Sequence, residues 1–283
     1  MVRRRIFEQP TSPLAIWARR FGLFSLPVAL LAIIIGRTGL LEYQPVIVTL
    51  GAAFALALIG MLLAFAAFVV IWKDGVDGLG HALGALMIGV FLLAYPAYLG
   101  IKGYRLPPIS DITTDAIDPP RFEAMARVRS REANPIAYAG LYAAELQHTA
   151  YPEVEPLFTD ANAQTAFDAA LNVMIKRRWR VIDQRAPLAG RREGHIEAVA
   201  RSVIMGFPDD VVVRVRADGE GARVDVRSAS RYGRYDFGSN AARIKSLLDD
   251  IDDVASADKE KLERPAKAAQ KPANNKPPQR AKR

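Results

Sequence analysis

Val46 to Trp72 (VIVTLGAAFALALIGMLLAFAAFVVIW) contains no charged residue and closes on a tryptophan. At a rise of about 1.5 Å per residue, such a run crosses the roughly 30 Å hydrocarbon layer of a bilayer as a tilted helix. It predicts a transmembrane helix, and the rest of the chain has to be arranged around a membrane. Two more apolar stretches flank it. Phe21 to Gly36 is uncharged and reaches spanning length by borrowing Ala15, Ile16 and Trp17, while Leu79 to Ile101 carries Tyr95 and Tyr98, with Tyr104 just beyond, as an interfacial aromatic belt. The arginines before Phe21 resemble the start of a secretion signal. The following IIGRTGLLEY has no small-residue cleavage motif, however, so a retained anchor is expected. Gly80 and Gly84 have the small-xxx-small spacing, expected to serve packing within the helical hairpin, with a dimer contact as the alternative. His81 could serve a proton path at the start of the third span. The spans hold no Asp, Glu, Lys or Arg, which leaves little polar machinery for a transporter.

Charge sets the expected orientation. The chain carries a formal +8, with five Arg against one Glu in residues 1–20 and nine Lys or Arg against three acids from Ser256 on, so the middle is slightly acidic. Five Arg precede the first span, Arg37 alone lies in the first loop and Lys73 alone in the second; Lys102 and Arg105 follow the third. The positive-inside rule then predicts an N-terminus in the cytoplasm of a bacterial cell and everything after Gly103 outside it. Basic termini beside membrane spans meet anionic headgroups more readily than nucleic acid, so a lipid bilayer is the expected partner and nucleic acid is not. Zero Cys excludes disulfides, thiolate metal sites and cysteine nucleophiles. The expected organisation is a basic N-terminus (1–20), three transmembrane helices (21–103), a Pro-rich linker (104–120), an extracytoplasmic domain (121–253) and a disordered basic tail (254–283).

The domain reads as α+β. Tyr138, Leu141, Tyr142, Glu145 and Leu146 fall at helical intervals, and Asp160 is positioned to cap a helix whose Ala163, Phe167, Ala170, Leu171 and Met174 form one stripe. Strand patterns follow at Trp179–Gln184, His195–Met205, Asp210–Arg216 and Arg223–Ser230, and a final helix begins at Gly238-Ser239-Asn240 with Ala241, Ile244, Leu247, Leu248 and Ile251 inward. This predicts a four-stranded antiparallel sheet with helices on one face. For the last two strands, a loop across Ala217–Ala222 sets Val215 against Val224, Val213 against Val226 and Arg214 against Asp225, whereas a tight turn at Asp218-Gly219 would oppose Arg214 and Arg223. The first register is expected because it pairs opposite charges.

Phe207-Pro-Asp-Asp-Val-Val-Val-Arg214 and the block Val224-Asp-Val-Arg-Ser-Ala-Ser-Arg-Tyr-Gly-Arg-Tyr-Asp-Phe-Gly-Ser-Asn-Ala-Ala-Arg-Ile244 resemble a bacterial and plastid family, domain of unknown function 1499, in its membrane-anchored form. Asp111-Ile-Thr-Thr-Asp115, Tyr151-Pro152, Ala166-Phe167 and Ile196-Glu-Ala198 extend the similarity over roughly Asp111 to Ile251. Many short members begin with a cysteine-bearing Pro-Asn-Cys segment, which this chain lacks. The resemblance implies an envelope-facing domain and no particular reaction.

No phosphate loop, dinucleotide fingerprint or Gly-x-Ser-x-Gly elbow is present, and no cofactor is expected. His81, His148 and His195 are scattered and Asp249, Asp250, Asp252 and Asp253 lack calcium-loop spacing, so no metal is expected. The candidate anion site is Arg231 and Arg234 with the backbone of Gly238, Ser239 and Asn240 at a helix N-terminus, opposed by Asp236 or Ser239 acting as an internal cap. Secondary candidates are Glu197, Asp209, Asp210, Arg214, Asp225 and Arg227. Asp209, Asp210 or Glu197 would act in a hydrolase, while Arg214, Arg216, Arg227 and Arg231 form a basic sheet face or pair with Glu197 and Asp225. The leading expectation is a binding or scaffolding module for a lipid, an anionic ligand or an envelope protein; the alternative is a membrane-bound hydrolase.

Overall fold

A computed structural model describes residues 9–188 and 193–269. Three helices, α1 (Pro13–Thr38), α2 (Tyr43–Asp74) and α3 (Leu79–Arg105), are each long and apolar enough to cross a membrane. α1 begins with proline in its first turn and stops at Gly39, which takes φ +67° and returns its N–H to the Ile35 carbonyl. The bundle is built on small residues. The buried positions of α1 are Ala15, Ala18, Gly22, Ser25, Ala29, Ala32 and Gly36, and large side chains such as Phe24, Leu30 and Phe65 face outward. A Cβ on Gly22 would lie 3.3 Å from the Ala85 backbone and one on Gly60 3.1 Å from that of Ala18 and Gly22. Small residues at these positions let the backbones approach this closely. Gly80 and Gly84 do not take part: a Cβ on either meets nothing within 4 Å, because α3 turns Ala82, Ala85 and Gly89 to the bundle instead. That corrects the expectation that they pack within the hairpin.

The domain centres on an antiparallel sheet of six strands in place of the four expected: β1 (Asp111–Thr113), β2 (Leu157–Thr159), β3 (Arg180–Arg185), β4 (Glu193–Arg201), β5 (Pro208–Asp218) and β6 (Gly221–Ser230). The order is β1-β6-β5-β4-β3, with β2 also on β6. β1 and β2 are three residues each, too short to show a period, and share the outer edge of β6. β1 falls in the stretch expected to be a linker, and Ile109 and Ile112 there are buried. β4 stops at Arg201, short of the Met205 expected.

Helices α5 (Ala163–Lys176) and α6 (Ser239–Ala269) cover one sheet face over Val211, Val213, Val215, Val224 and Val226. The cap of α5 is Asn162, whose side chain accepts from the Thr165 N–H, and not Asp160. α6 runs beyond Asp253, where Val254 and Ala255 still pack on the core; the rest of the expected tail, from residue 270, lies outside the described residues. A short helix α4 (Leu141–Ala150) sends Gln147 to the edge strand, where its amide accepts from the Thr113 N–H (3.0 Å) and donates to its carbonyl (2.7 Å).

The second sheet face is also covered. The segment between β1 and α4, including a single 3-10 turn at Met125–Arg127, lays Phe122 and Met125 on Val199, Val212 and Ala229. This explains why Val211-Val212-Val213 is continuous: a strand buried on both faces loses its polar alternation.

Candidate functional site

Six of the sequence-predicted site residues, Glu197, Asp210, Arg214, Asp225, Arg227 and Arg231, lie in this second face, each bonded within the protein. Arg214 is opposite Asp225 as expected, both buried: its guanidinium reaches Asp225 and Asp115 at 3.1 Å each and the exposed Asp118 at 2.9 Å. Arg216 and Arg223 join the same carboxylates. Burial alone would raise the Asp115 pKa, but backbone N–H donors and Arg223 and Arg214 hold it below its ordinary value. Arg227 pairs with Asp111 at 2.7 Å between the rings of Phe122 (4.7 Å) and Tyr138 (5.5 Å). Burial pushes the Tyr138 hydroxyl up to about 12.

The three carboxylates of the hydrolase alternative are each engaged. Glu197 accepts the backbone N–H groups of Glu123, Ala124 and Met125 at 2.7, 2.9 and 2.8 Å and contacts His195 Nε2 at 3.0 Å. Asp210 lies between Arg129 (2.8 Å) and Arg231 (2.7 Å), and Asp209 holds Arg243 of α6. Ligand atoms of Asp183, His195 and Glu197 lie within 4.8 Å of one another, the one such group among the described residues. Glu197 is already committed to its N–H donors and Asp183 to Arg185 at 2.9 Å, so the group is closed by internal bonds.

The predicted anion site is not assembled. Asp236 accepts the N–H groups of Gly238 (3.1 Å) and Asn240 (2.9 Å), so the chain's own carboxylate occupies the positive end of α6. Burial nonetheless raises the Asp236 pKa. Arg231 is on the opposite face with Asp210, Arg234 is exposed, and the Asn240 side chain bonds Ser228 and Ser230.

A different group of basic residues meets where the domain rests on the helix ends, around a cavity of about 460 Å³. The α5–β3 turn contributes Arg178 and Trp179, β3 opens with Arg180, and the end of β4 adds Arg201. Arg178 sits at φ +58°, an uncommon conformation for a residue with a side chain, reached because the Trp179 N–H closes the helix onto the Met174 carbonyl (3.0 Å). Neither Arg178 nor Arg180 has a side-chain partner among the described residues, and Arg201 donates only to carbonyls, those of Gly206 (3.1 Å) and Arg37 (3.4 Å). Arg177 and Arg231 also line the space but pair with Asp250 and Asp210. The ends of α1 and α2 and the turn between them supply Gly36, Gly39, Leu40, Leu41 and Val46 as an apolar wall, and Glu42 is the cavity's single acid. Tyr43 stacks on Tyr232 (4.7 Å between centroids, 8° between planes) and meets Phe207 edge-on at 5.1 Å.

Sequence reasoning missed this site because its halves are far apart in the chain. The local signal was Lys176-Arg177-Arg178-Trp179-Arg180, which reads equally as the basic last turn of a helix.

Among curated proteins none matches the chain. A crystal structure similar to part of it, CalU16 from Micromonospora echinospora, is 15% identical over 40% of this chain and 82% of that chain, with a TM-score of 0.24. Residues 111–251 match the family model described as protein of unknown function (DUF1499), a stretch that holds all six strands and the arginine wall of the cavity, and through this domain the chain belongs to that family.

Proposed function

We propose that the chain is a membrane-anchored binding module of the cell envelope, its three helices in the cytoplasmic membrane and its domain on the outer side, holding an anionic group in the junctional cavity. Arg178 and Arg180, two exposed cavity arginines without a side-chain partner among the described residues, carry this reading. The sheet arginines Arg214, Arg216, Arg223, Arg227 and Arg231 each meet a carboxylate, whereas these two cavity arginines do not. Guanidinium forks match phosphate and carboxylate oxygens in pairs, and a cavity of this size lies in the range of small-molecule sites.

The test is thermal unfolding of the full chain in detergent with inorganic phosphate, glycerol 3-phosphate or phosphatidylglycerol, with Trp179 as a fluorescent reporter in the cavity wall. A ligand at 100 times its Kd stabilises by about 2.7 kcal/mol, so at least one anion is expected to raise the midpoint and Arg178→Gln/Arg180→Gln to remove the rise. No rise with any of the three, or an equal rise in the double variant, would overturn the proposal.

A further inference from the structure

Resting on that reading, we infer that the anionic group is the headgroup of an acidic glycerophospholipid that enters sideways from the bilayer. The two walls of the cavity differ in charge: the domain side carries all of its arginines, interleaved with Val199, Phe207 and Pro208, and the helix side is mainly Gly36, Leu40, Leu41 and Val46, with the single acid Glu42. A soluble anion has no use for the second wall, while an amphiphile needs both. The position agrees. The cavity lies at the C-terminal end of α1 and the N-terminal end of α2, where apolar spans give way to polar chain and headgroups reside. Tyr43, stacked on Tyr232, sits at that level, as interfacial aromatics do.

The rim points the same way. Leu40 is 78% exposed and Leu41 51%, and the β4–β5 loop beside them presents Val203 (89%) and Ile204 (41%). That loop is pinned to the end of α1, because Arg37 Nη1 donates to the carbonyls of Val203 (2.5 Å) and Ile204 (3.3 Å). Four large apolar side chains held outward around one basic cavity would cost free energy in water and gain it against acyl chains. The space of about 460 Å³ takes a phosphate-bearing headgroup and leaves the acyl chains in the membrane.

Native mass spectrometry of the full chain in detergent, given equimolar phosphatidylglycerol and phosphatidylcholine, tests the inference alongside the unfolding midpoint with glycerol 3-phosphate. One phosphatidylglycerol per chain should be retained at least tenfold over phosphatidylcholine. Arg178→Gln/Arg180→Gln should abolish this preference, and Leu40→Ser/Leu41→Ser should weaken it without unfolding the chain. Glycerol 3-phosphate at the same concentration should shift the midpoint far less than the lipid. If glycerol 3-phosphate matches the lipid, the site takes a soluble anion: the lipid inference fails while the anion reading stands. If neither acts, the lipid inference fails, and the anion reading fails with it when inorganic phosphate is silent as well. Equal retention of the two lipids, or unchanged retention in the arginine variant, identifies ordinary annular lipid and overturns the inference.

Discussion

Glu197 lies on the second sheet face with its side chain shut off from water, and its two oxygens collect three consecutive backbone N–H groups of the covering segment. A carboxylate so placed does for the 3-10 turn what an N-terminal cap does for a helix, and fixes the segment to the sheet. Glu197→Ala should lower stability by about 3 kcal/mol or more, since each buried donor left unpaired costs roughly 1–3 kcal/mol, and Glu197→Gln, which keeps an acceptor, by less. Urea unfolding of the full chain in detergent measures both, and a loss below about 1 kcal/mol for the alanine variant would refute the anchoring role. Burial tends to raise the Glu197 pKa, but His195 and the three N–H groups outweigh it and hold it below the ordinary 4.5. Its contribution is therefore fully present above that ordinary value and lost as pH falls through the lower folded one. Asp111 and Asp210, raised by burial, act with the opposite sign: their desolvation penalty is relieved on acidification. The alanine variant should accordingly lose less stability than the parent chain between neutral pH and pH values below about 4.

The β5–β6 hairpin shows what an element's sequence determines. The Arg214–Asp225 register was legible because only that pairing satisfies both charge and alternation. The turn was misjudged: Asp218 pairs with Gly221, so the loop is the two residues Gly219 and Glu220, with Gly219 at φ +57°. A two-residue turn between those positions keeps the favourable register, an alternative the expected six-residue loop passed over. Long periodic elements, namely the three apolar helices, α5, α6 and the four longer strands, were legible for the same reason as the register. β1, β2 and the second-face cover were not, since three-residue strands and an irregular segment are specified by distant partners such as Gln147 and Glu197. Gly221 is where one such partner presses in: a Cβ there would lie 2.3 Å from the Thr159 carbonyl oxygen of β2. Gly221→Ala should therefore push β2 away and cost about 1–3 kcal/mol, while Gly219→Asn, open to solvent and tolerant of the left-handed conformation, should cost under about 1 kcal/mol. Thermal unfolding of the two variants compares them, and equal midpoints would show that β2 yields freely.

At the scale of the whole molecule the domain is seated on one end of the helical bundle. Arg37 at the end of α1 bonds the β4–β5 loop, Tyr43 at the start of α2 stacks on Tyr232, and Lys102 near the end of α3 donates to the Phe237 carbonyl at 2.7 Å. These three contacts bring the end of α1, the start of α2 and the end of α3 to one side, the arrangement that three crossings of a membrane would give. Which side that is rests, in the proposed orientation, on charge: five Arg before the first span against single basic residues in the loops favour a cytoplasmic N-terminus. An alkaline phosphatase fused after Ser256 should then be active, a cytoplasmic reporter at the same site silent, and the reverse pattern should hold for fusions at the N-terminus. Because Arg37 and Lys102 serve the docked domain, charge added to the loops tests topology without touching those contacts: lysines placed at Gly75 and Val76, between α2 and α3, should leave the orientation unchanged, as the proposed orientation puts that loop inside. An active cytoplasmic reporter after Ser256 in the parent chain would place the domain and its arginine cavity against the inner leaflet and overturn the orientation, while leaving the seating of the domain on the helix ends intact.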